Sequence, residues 1–359
     1  MTGTTATPPP PRRGTGRRPT MADVARAAGV NPSTVSRALD DRHPFSRGDT
    51  AARIRQIAEQ LGYTPNPAAA SLRRQSTRTI GVVMSSITGT VMAMLYEEIA
   101  EACRDHGLDA LLATTHDDLE AETAIGRLLL GRRVDGLIMA TARLEGPGGF
   151  LPELTADGTP FVLALRTDGH SPAVLGDDRL GGYLAARHLL DLGHRRIGMI
   201  AGPTYASNAL GRVAGLREAL AEAGVEVDDR LVRPSDFSME SGESTAAELL
   251  ALPDGQRPTA LVTVSDNTAV GALAAARRRG LTVPDDLSVV GYNDTPLAAR
   301  LPIPLTSVRV PLREIGRGAV DMLLRIRQGR PVRSTVHAPT LIPRESTAAA
   351  PTPTPTSAP

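Results

Sequence analysis

The apolar residues between positions 20 and 61 recur at helical spacing in separate groups. The first group lies at positions i, i+3, i+4 and i+7 and predicts one apolar helix face, formed by Met21, Val24, Ala25 and Ala28. Thr20 can cap this helix, with Asp23 three residues on for the reciprocal hydrogen bond, and Gly29 ends it. Asn31 followed by Pro32 predicts that a second helix begins almost at once. A third helix is predicted from the apolar face formed by Ile54, Ile57, Ala58 and Leu61.

Two helices joined by so short a turn are typical of a helix-turn-helix. Val35 and Leu39 of the second helix are expected to face inward. The side chains left outward are small and polar or basic, and they suit base edges in a major groove: Ser33, Thr34, Ser36 and Arg37. Together with Thr20 and Pro32 at the two helix starts, they form the predicted DNA-contacting set of this head. The alternative interpretation is an ordinary small helical bundle.

The segment after the third helix contains Pro65 and Pro67, which end that helix. Residues 68–73 are rich in alanine and have helix propensity, but they have little apolar surface to bury. An isolated helix of this length is marginal in water. We therefore expect this segment to become ordered only against a partner.

From residue 79 onward, short apolar runs alternate with amphipathic helical patterns. The predicted strands are residues 80–84, 110–113, 136–140, 161–165, 197–201, 260–264 and 288–291. The predicted helices are residues 92–106, 120–130, 180–192, 208–223, 239–251 and 267–279. Alternation of this kind is typical of parallel sheets covered by helices on both faces. Because so many units need more than one sheet, the simplest α/β architecture is two Rossmann-like lobes with a cleft between them.

Charge divides the chain where the hydrophobic pattern changes. Residues 1–78 hold 13 arginines and 5 acidic residues, a net charge of +8, whereas residues 79–359 hold 27 and 34, a net charge of −7. A basic head on an acidic body is the electrostatic pattern of a DNA-binding module attached to an effector domain. The formal charge of the whole chain, +1, hides this division.

The composition argues against several other classes of protein. The single cysteine, Cys103, excludes an intramolecular disulfide framework and suits a reducing cytoplasm, and its place on an apolar helix face predicts a core position. No apolar run reaches the roughly 18 residues of a membrane span. The N-terminus lacks the apolar region of a secretory signal. Residues 1–19 and 346–359 are rich in Pro, Thr and Ala and are expected to be disordered tails.

An enzyme is the main competing class, but common catalytic signatures are missing from the sequence. There is no G-x-S-x-G, no G-x-x-x-x-G-K-[ST], no H-E-x-x-H and no strand followed by G-x-G-x-x-G. His188 and His194 flank a helix end, where packing or capping is expected rather than metal binding. Asp117 and Asp118 are expected in a turn, where aspartate makes local hydrogen bonds. We expect neither a catalytic residue, nor a cofactor, nor a metal.

The head and the segment after it resemble the LacI/GalR family of bacterial transcription regulators. The family pattern T-x-x-D-V-A-x-x-A-G-V-S-x-x-T-V-S-R begins here at Thr20, with Asn31 in place of its first serine. The hinge pattern Y-x-P-N-x-x-A-x-x-L ends at Leu72 and includes Asn66 and Ala69. The resemblance implies a hinge helix and linker in residues 66–78, with Leu72 wedged into the minor groove so that the operator kinks.

The body also resembles this family, from GGYLAARHLLDLGHRRIGMIAGP (181–203) to LSVVGYNDTPLAARLPIPLTSVRVPLREIGRGAVDMLL (287–324). The implied fold is that of periplasmic sugar-binding proteins, with a ligand between two lobes and the chain crossing between them near residues 175, 304 and 332. On this basis residues 20–65 form the DNA-binding head, and residues 79–345 form the effector-binding and dimerisation domain.

The resemblance also implies five effector-binding residues. Arg212 stands where the family places an arginine that holds hydroxyls or a carboxylate with its planar fork. Asp266 stands where an aspartate accepts from paired hydroxyls, at the carboxyl end of a strand, where open α/β sheets bind ligands. Phe237 fills an aromatic position that can stack on a sugar or a base. Val91 and Met92 fill the wall of the first lobe.

Each of these five residues has an alternative role in packing or at the surface, and the chain departs from the family pattern at two other positions. Arg212 could pair with Glu218 on a solvated helix, and the three apolar side chains could belong to the core. Leu165 stands where the family often has an aspartate, and Ser265 where an asparagine commonly precedes Asp266. The chain has four Phe, five Tyr and no Trp, so few aromatic rings are available to stack on a sugar. A ligand that is smaller or less typical than a hexose therefore stays an alternative.

The sequence therefore predicts a cytoplasmic, ligand-responsive transcription regulator of the repressor type. Its expected partners are a pseudo-palindromic operator, a small molecule such as a sugar, and a second copy of the chain, but no membrane. The prolines after Arg344 forbid a C-terminal coiled coil, so a dimer is expected rather than a tetramer. Two alternatives stay open: a transport-type sugar-binding protein, and a co-repressor-dependent regulator that responds to a nucleobase.

Overall fold

The computed structural model describes residues 19–39, 48–64, 76–144 and 149–351. The chain divides into two compact units, one up to Thr77 and the other from Arg78 onward. The expected tail 1–19 lies outside the described residues except for its last position. Residues 352–359 also lie outside them.

The head unit contains three helices, α1 (Met21–Ala28), α2 (Pro32–Ala38) and α3 (Asp49–Gln60). The predicted capping box of α1 is confirmed, because Asp23 N donates to Thr20 Oγ1 and Thr20 N donates to Asp23 Oδ2. Gly29 ends α1 with a left-handed φ of 67°, a conformation that glycine adopts at little cost. Asn31 is the residue before α2, as predicted, but its side chain makes no capping hydrogen bond.

The apolar face of each head helix meets the other two around one small core. Its buried members come from all three helices: Val24, Ala25, Ala28, Val35, Ala38, Ala51, Ile54 and Ala58. The expectation that Leu61 continues the face of α3 is wrong, since α3 ends before it and its side chain is 42% exposed. Arg53 Nη2 of α3 donates to the carbonyl of Ala28 at 2.7 Å, which fixes α3 against the end of α1.

The body unit contains two six-stranded sheets, as the alternating pattern predicts. The first sheet has the strand order β11-β5-β4-β3-β1-β2 and the second has the order β12-β10-β9-β8-β6-β7. The strands are β1 (Thr79–Met84), β2 (Asp109–Thr114), β3 (Leu137–Met139), β4 (Phe161–Ala164), β5 (Ala173–Gly176), β6 (Ile197–Ala201), β7 (Val232–Pro234), β8 (Ala260–Thr263), β9 (Ser288–Asn293), β10 (Thr306–Arg309), β11 (Thr335–His337) and β12 (Thr340–Ile342). Neighbouring strands are parallel except for β10 and β12. The sequence pattern does not predict β5, β7, β10, β11 or β12.

Helices cover both sheets, and none in the described part of the chain is long and apolar enough to cross a membrane. They are α4 (Thr90–Asp105), α5 (Leu119–Gly131), α6 (Leu151–Ala156), α7 (Asp178–Asp191), α8 (Ser207–Glu222), α9 (Met239–Leu250), α10 (Asp266–Arg278) and α11 (Leu312–Arg327). Cys103 on α4 is fully buried, as predicted, and burial raises the pKa of its thiol to about 11.

The chain crosses between the two lobes three times. The first crossing follows β5, close to the predicted position of 175. The second lies between β10 and α11, because α11 packs on β4 and β5 of the first lobe, and the third lies between β11 and β12. The predicted crossings near 304 and 332 are therefore too early by several residues. The predictions placed them before β10 and β11, two strands that the apolar pattern does not reveal.

The expectation that residue 346 begins a tail is wrong for residues 346–350, which are bound to the second lobe. Ser346 is fully buried, accepts from Thr306 N at 2.9 Å and donates to the carbonyl of Val289. His188 Nε2 lies 2.9 Å from Thr347 Oγ1, and His194 Nε2 lies 3.1 Å from the carbonyl of Ala348. The packing role expected for the two histidines is confirmed, and both of them pack against this segment.

Candidate functional site

The outward face of α2 is the candidate DNA-contacting surface of the head. Ser33 and Arg37 are exposed, whereas Thr34 and Ser36 are half-buried. Arg37 Nε donates to the carbonyl of Ser33 at 3.3 Å, so the guanidinium lies along the helix surface. Pro32 is exposed at the start of α2.

The other predicted DNA contacts are constrained differently. Thr20 is half-buried, and its hydroxyl takes part in the capping box of α1. Asn66, Ala69 and Leu72, with most of the hinge segment, lie outside the described residues. Their assignment stays a prediction.

In the body, a cavity of about 270 Å³ lies where the carboxyl ends of the two sheets face each other. Polar residues at or after the carboxyl ends of β1, β2, β8 and β9 line it, among them Ser86, His116, Asn267 and Asn293. Ligands of open α/β sheets bind at this end of the strands. All five predicted effector-binding residues line the same cavity: Val91, Met92, Arg212, Phe237 and Asp266.

Backbone strain is concentrated around this cavity. Eight non-glycine residues of the described chain have a positive φ, and five of them line the cavity: His116, Asp117, Leu165, Phe237 and Asn293. Such conformations cost free energy and persist only where the surrounding structure enforces them. The clustering favours a functional site at these strand ends over ordinary loops.

Arg212 is held rigidly in the cavity wall. It is 4% exposed, and its Nε donates to Asp178 Oδ1 at 2.8 Å. Its Nη1 donates to the carbonyl of Val264, and its Cζ lies 3.6 Å from the ring centroid of Tyr292. The alternative pairing with Glu218 is wrong, because Glu218 pairs with Arg179 at the surface. No hydrogen bond joins Nη2 of Arg212 to a described residue.

Asp266 is the first residue of α10 and is 2% exposed. Its Oδ1 accepts from Ser307 Oγ and its Oδ2 accepts from Thr295 N, both at 2.6 Å. Burial raises the pKa of this carboxyl, and the two hydrogen bonds oppose the shift. Ser265, in the position where the family often has asparagine, forms a capping box with Thr268. Asp266 therefore links the end of β8 to β10 and to the segment after β9.

The three apolar residues of the predicted set have two roles at once. Met92 is 8% exposed and packs in the main core, with Val91 half-buried against it. Phe237 is half-buried beside Ala206, Ala209 and Val264. All three residues also line the cavity, so packing in the core does not remove them from its wall.

Three charged residues that line the cavity are missed by the sequence pattern: Asp117, Arg166 and Asp236. Asp117 was expected to make local turn contacts, but both its carboxylate oxygens accept from Arg166, at 2.8 and 3.1 Å. Arg166 is 1% exposed. The pair joins β2 and β4 across 49 positions of sequence, so no local pattern reveals it. Tyr205 of the second lobe donates its hydroxyl to the same carboxylate at 3.3 Å, which links the lobes.

The cavity has both polar and apolar walls and carries no excess positive charge. Its two arginines are each neutralised by a carboxylate, Arg166 by Asp117 and Arg212 by Asp178. Asp236 and Asp266 also line it, and hydrogen bonds from Ser238 and Ser241 lower the pKa of Asp236. An anionic ligand would meet carboxylates without a free cation beside them. The site suits an uncharged molecule with many hydrogen-bonding groups.

Comparison with known protein families separates the two units in the same way. Residues 20–66 match the model for bacterial regulatory proteins of the lacI family, and residues 186–347 match that for the periplasmic binding protein-like domain. The regulator DegA of Bacillus subtilis (strain 168) is 36% identical over 301 residues, which cover 83% of this chain and 88% of DegA. This chain belongs to the LacI family. It is a DNA-binding transcription regulator with a ligand-binding body.

Solved structures of LacI-family proteins agree with the fold. A Lac repressor dimer bound to operator and the anti-inducer ONPF superposes with a TM-score of 0.82 at 29% identity, over 93% of this chain and all of that one. A complex of the regulator CelR with cellobiose gives a TM-score of 0.69 at 31% identity, over 92% of this chain and all of that one. The predicted family and the two-lobed fold are thereby confirmed.

Proposed function

We propose that this LacI-family regulator is a homodimeric repressor controlled by an uncharged, hydroxyl-rich effector such as a sugar. The observation that carries the proposal is the inter-lobe cavity, whose two arginines are already neutralised by carboxylates. The hydroxyls of a sugar donate to carboxylate and amide oxygens, and they accept from guanidinium groups. The solved CelR complex holds such a ligand, cellobiose.

The head supports the other half of the proposal. Ser33, Thr34, Ser36 and Arg37 on α2 would contact base edges, and Leu72 would wedge the minor groove at the hinge. A two-fold operator needs a two-fold protein, so two copies of the chain would bind one site. DNA binding would place the protein in the bacterial cytoplasm.

The effector would act by shifting the population of two lobe arrangements. Lobe closure would change the distance between the two hinge segments of the dimer and so their fit to the operator. A ligand can shift this equilibrium only by its difference in affinity for the two states. The contacts between Tyr205 and the first lobe are the kind that such a shift would make or break.

A thermal-shift screen tests the effector class directly. The full-length protein is heated with neutral sugars, polyols, sugar phosphates and nucleobases. A ligand present at 100 times its Kd stabilises the fold by about 2.7 kcal/mol, which raises the midpoint measurably. We expect a neutral sugar or polyol to give the largest shift. A shift from nucleobases alone would favour the co-repressor alternative, and a shift from sugar phosphates alone would contradict the neutral cavity.

A further inference from the structure

Three helices of the first lobe end around the point at which the chain enters the body. Arg78 precedes β1, and its Nη2 donates to the carbonyl of Gly107, behind α4, at 2.6 Å. The backbone N of Arg78 donates to Asp135 Oδ2, behind α5, at 3.0 Å. Arg327, in the last turn of α11, donates from Nη2 to the same oxygen at 2.9 Å. The surface that these helix ends form is called the entry surface and consists of residues 104–109, 131–135 and 325–333.

The entry surface is basic although the body is acidic. It holds seven arginines and three aspartates, a net charge of +4, whereas the body as a whole carries −7. Two of the three carboxylates are already paired, Asp105 with Arg317 and Asp135 with Arg327. Asp109 is the exposed one that is left. Positive charge is therefore collected on one surface of a negatively charged domain, which is the pattern expected where a polyanion binds.

Most arginines of the entry surface are exposed and are not used by the fold. Five of them form no ion pair or side-chain hydrogen bond with a described residue: Arg104, Arg132, Arg325, Arg330 and Arg333. At the amino end of the second sheet, by contrast, Arg195 and Arg196 donate to backbone carbonyls, and Arg230 and Arg278 pair with carboxylates. A guanidinium that the fold does not use keeps its donors for a partner, and their planar fork matches phosphate oxygens.

Stabilisation of helix ends explains only part of this set. Arg104 and Arg325 lie in the last turns of α4 and α11, where a cation interacts favourably with the negative end of the helix dipole. Arg330 and Arg333 lie beyond α11, so this explanation does not apply to them. Together with Arg325 they line a groove of about 490 Å³. The carboxylate that lines this groove, Asp321, is paired with a histidine.

We propose that the entry surface is a second DNA-contacting surface, which binds the phosphate backbone of the duplex that flanks the operator. This inference goes beyond the proposed function, because it needs no effector. The covalent chain favours DNA as the occupant: residues 66–77 span at most about 40 Å when fully extended, so a duplex held by the head stays within reach of this surface. Phosphate contacts carry no sequence information, so the surface adds affinity rather than specificity.

Anisotropy titrations of the full-length protein on a short and a long duplex test the proposal. Both duplexes carry an operator recovered by in vitro selection, and the long one continues on each side for about 15 base pairs, one and a half helical turns. We expect wild type to bind the long duplex at least tenfold more tightly than the short one. The triple variant Arg325→Gln, Arg330→Gln and Arg333→Gln should bind the short duplex within twofold of wild type and lose most of the gain from the flanks.

The control removes the same charge from surface pairs of the second lobe, through Arg187→Gln, Arg217→Gln and Arg230→Gln, and should keep the wild-type gain. Equal gains in the two triple variants would overturn the proposal.

The salt dependence gives an independent readout of the same contacts. Each phosphate contact adds about 0.9 to the slope of log K against log salt concentration. The entry-surface variant should therefore show a shallower slope than wild type on the long duplex and the same slope on the short one. A variant that keeps the gain from the flanks but binds poly-L-glutamate more weakly than wild type would assign the entry surface to an acidic protein segment and would refute its role in DNA binding.

Discussion

Nε of Arg212 donates to Oδ1 of Asp178 at 2.8 Å, and the two side chains are only 4% and 13% exposed. Asp178 is the first residue of α7, and Arg212 lies on α8, so the pair joins the two helices that follow the first crossing. Tyr292 also contacts this pair, because its hydroxyl donates to the same carboxylate oxygen at 3.3 Å. This arrangement fixes the Arg212 guanidinium in the wall of the cavity.

Breaking this pair should destabilise the body strongly. Asp178→Ala leaves the Arg212 charge buried and uncompensated, a change that usually costs about 3–5 kcal/mol. Urea unfolding of the full-length protein measures the loss in the free energy of unfolding. Glu218→Ala at the exposed Arg179–Glu218 pair is the control and should leave that free energy nearly unchanged. Equal effects of the two variants would contradict the buried role of Asp178.

Asn293→Gly should separate stability from ligand response. Asn293 lines the cavity with a φ of 101°, a conformation that favours glycine, so the substitution removes strain of about 1–3 kcal/mol. The greater freedom of glycine in the unfolded chain offsets part of this gain. We expect an unchanged or higher melting temperature together with a weaker response to the effector. A lower melting temperature with a wild-type response would reverse both expectations.

Local sequence patterns predicted the features that depend on neighbours in the chain. The capping box of Thr20 and Asp23 and the strand over residues 197–201 were predicted because their determinants lie within a few positions. The strands β7 and β11 were missed because they are three-residue edge strands with mostly exposed side chains. The helix α11 was missed although its apolar positions follow the same helical spacing.

The candidate site was predicted only in part. The resemblance selected Arg212 and Asp266, which line the cavity, but it did not reveal that Asp266 is held by Thr295 and Ser307. Arg166 and its partner were missed because their contact depends on two strained turns that no periodicity indicates. Contacts between polar groups that are far apart in the sequence cannot be predicted from local patterns in a single sequence.

The stability of the body should fall as the pH falls below about 6.5. Burial lowers the pKa of His194 in the fold, so the unfolded chain binds a proton more readily than the native one and stability is lost below the unfolded pKa. His194→Gln removes this titration, and its free energy of unfolding should change less than that of wild type between pH 7.5 and pH 5.5. Urea unfolding at the two pH values measures the difference. Identical pH dependences would contradict the buried, neutral state of His194.

Arg37→Ala should weaken binding to the specific operator and relax one base position. If Arg37 forms a bidentate pair with guanine, its loss costs about 1–3 kcal/mol of discrimination. Anisotropy titrations on the operator and on its single-base variants measure this cost. Arg26→Ala on α1, whose side chain pairs with Asp23, is the control and should affect all sequences alike. A uniform loss for Arg37→Ala would assign it to the phosphates instead.

Operator affinity with and without the bound effector is the most direct measure of whether the cavity controls DNA binding. The operator is recovered by in vitro selection with the full-length protein, and the neutral sugar that stabilises the fold most is the ligand. We expect a pseudo-palindromic site, at least a tenfold change in wild-type Kd on adding the sugar, and no change for Arg212→Lys at the same concentration. A wild-type operator affinity that is the same with and without bound sugar would contradict the claim that the inter-lobe cavity controls DNA binding.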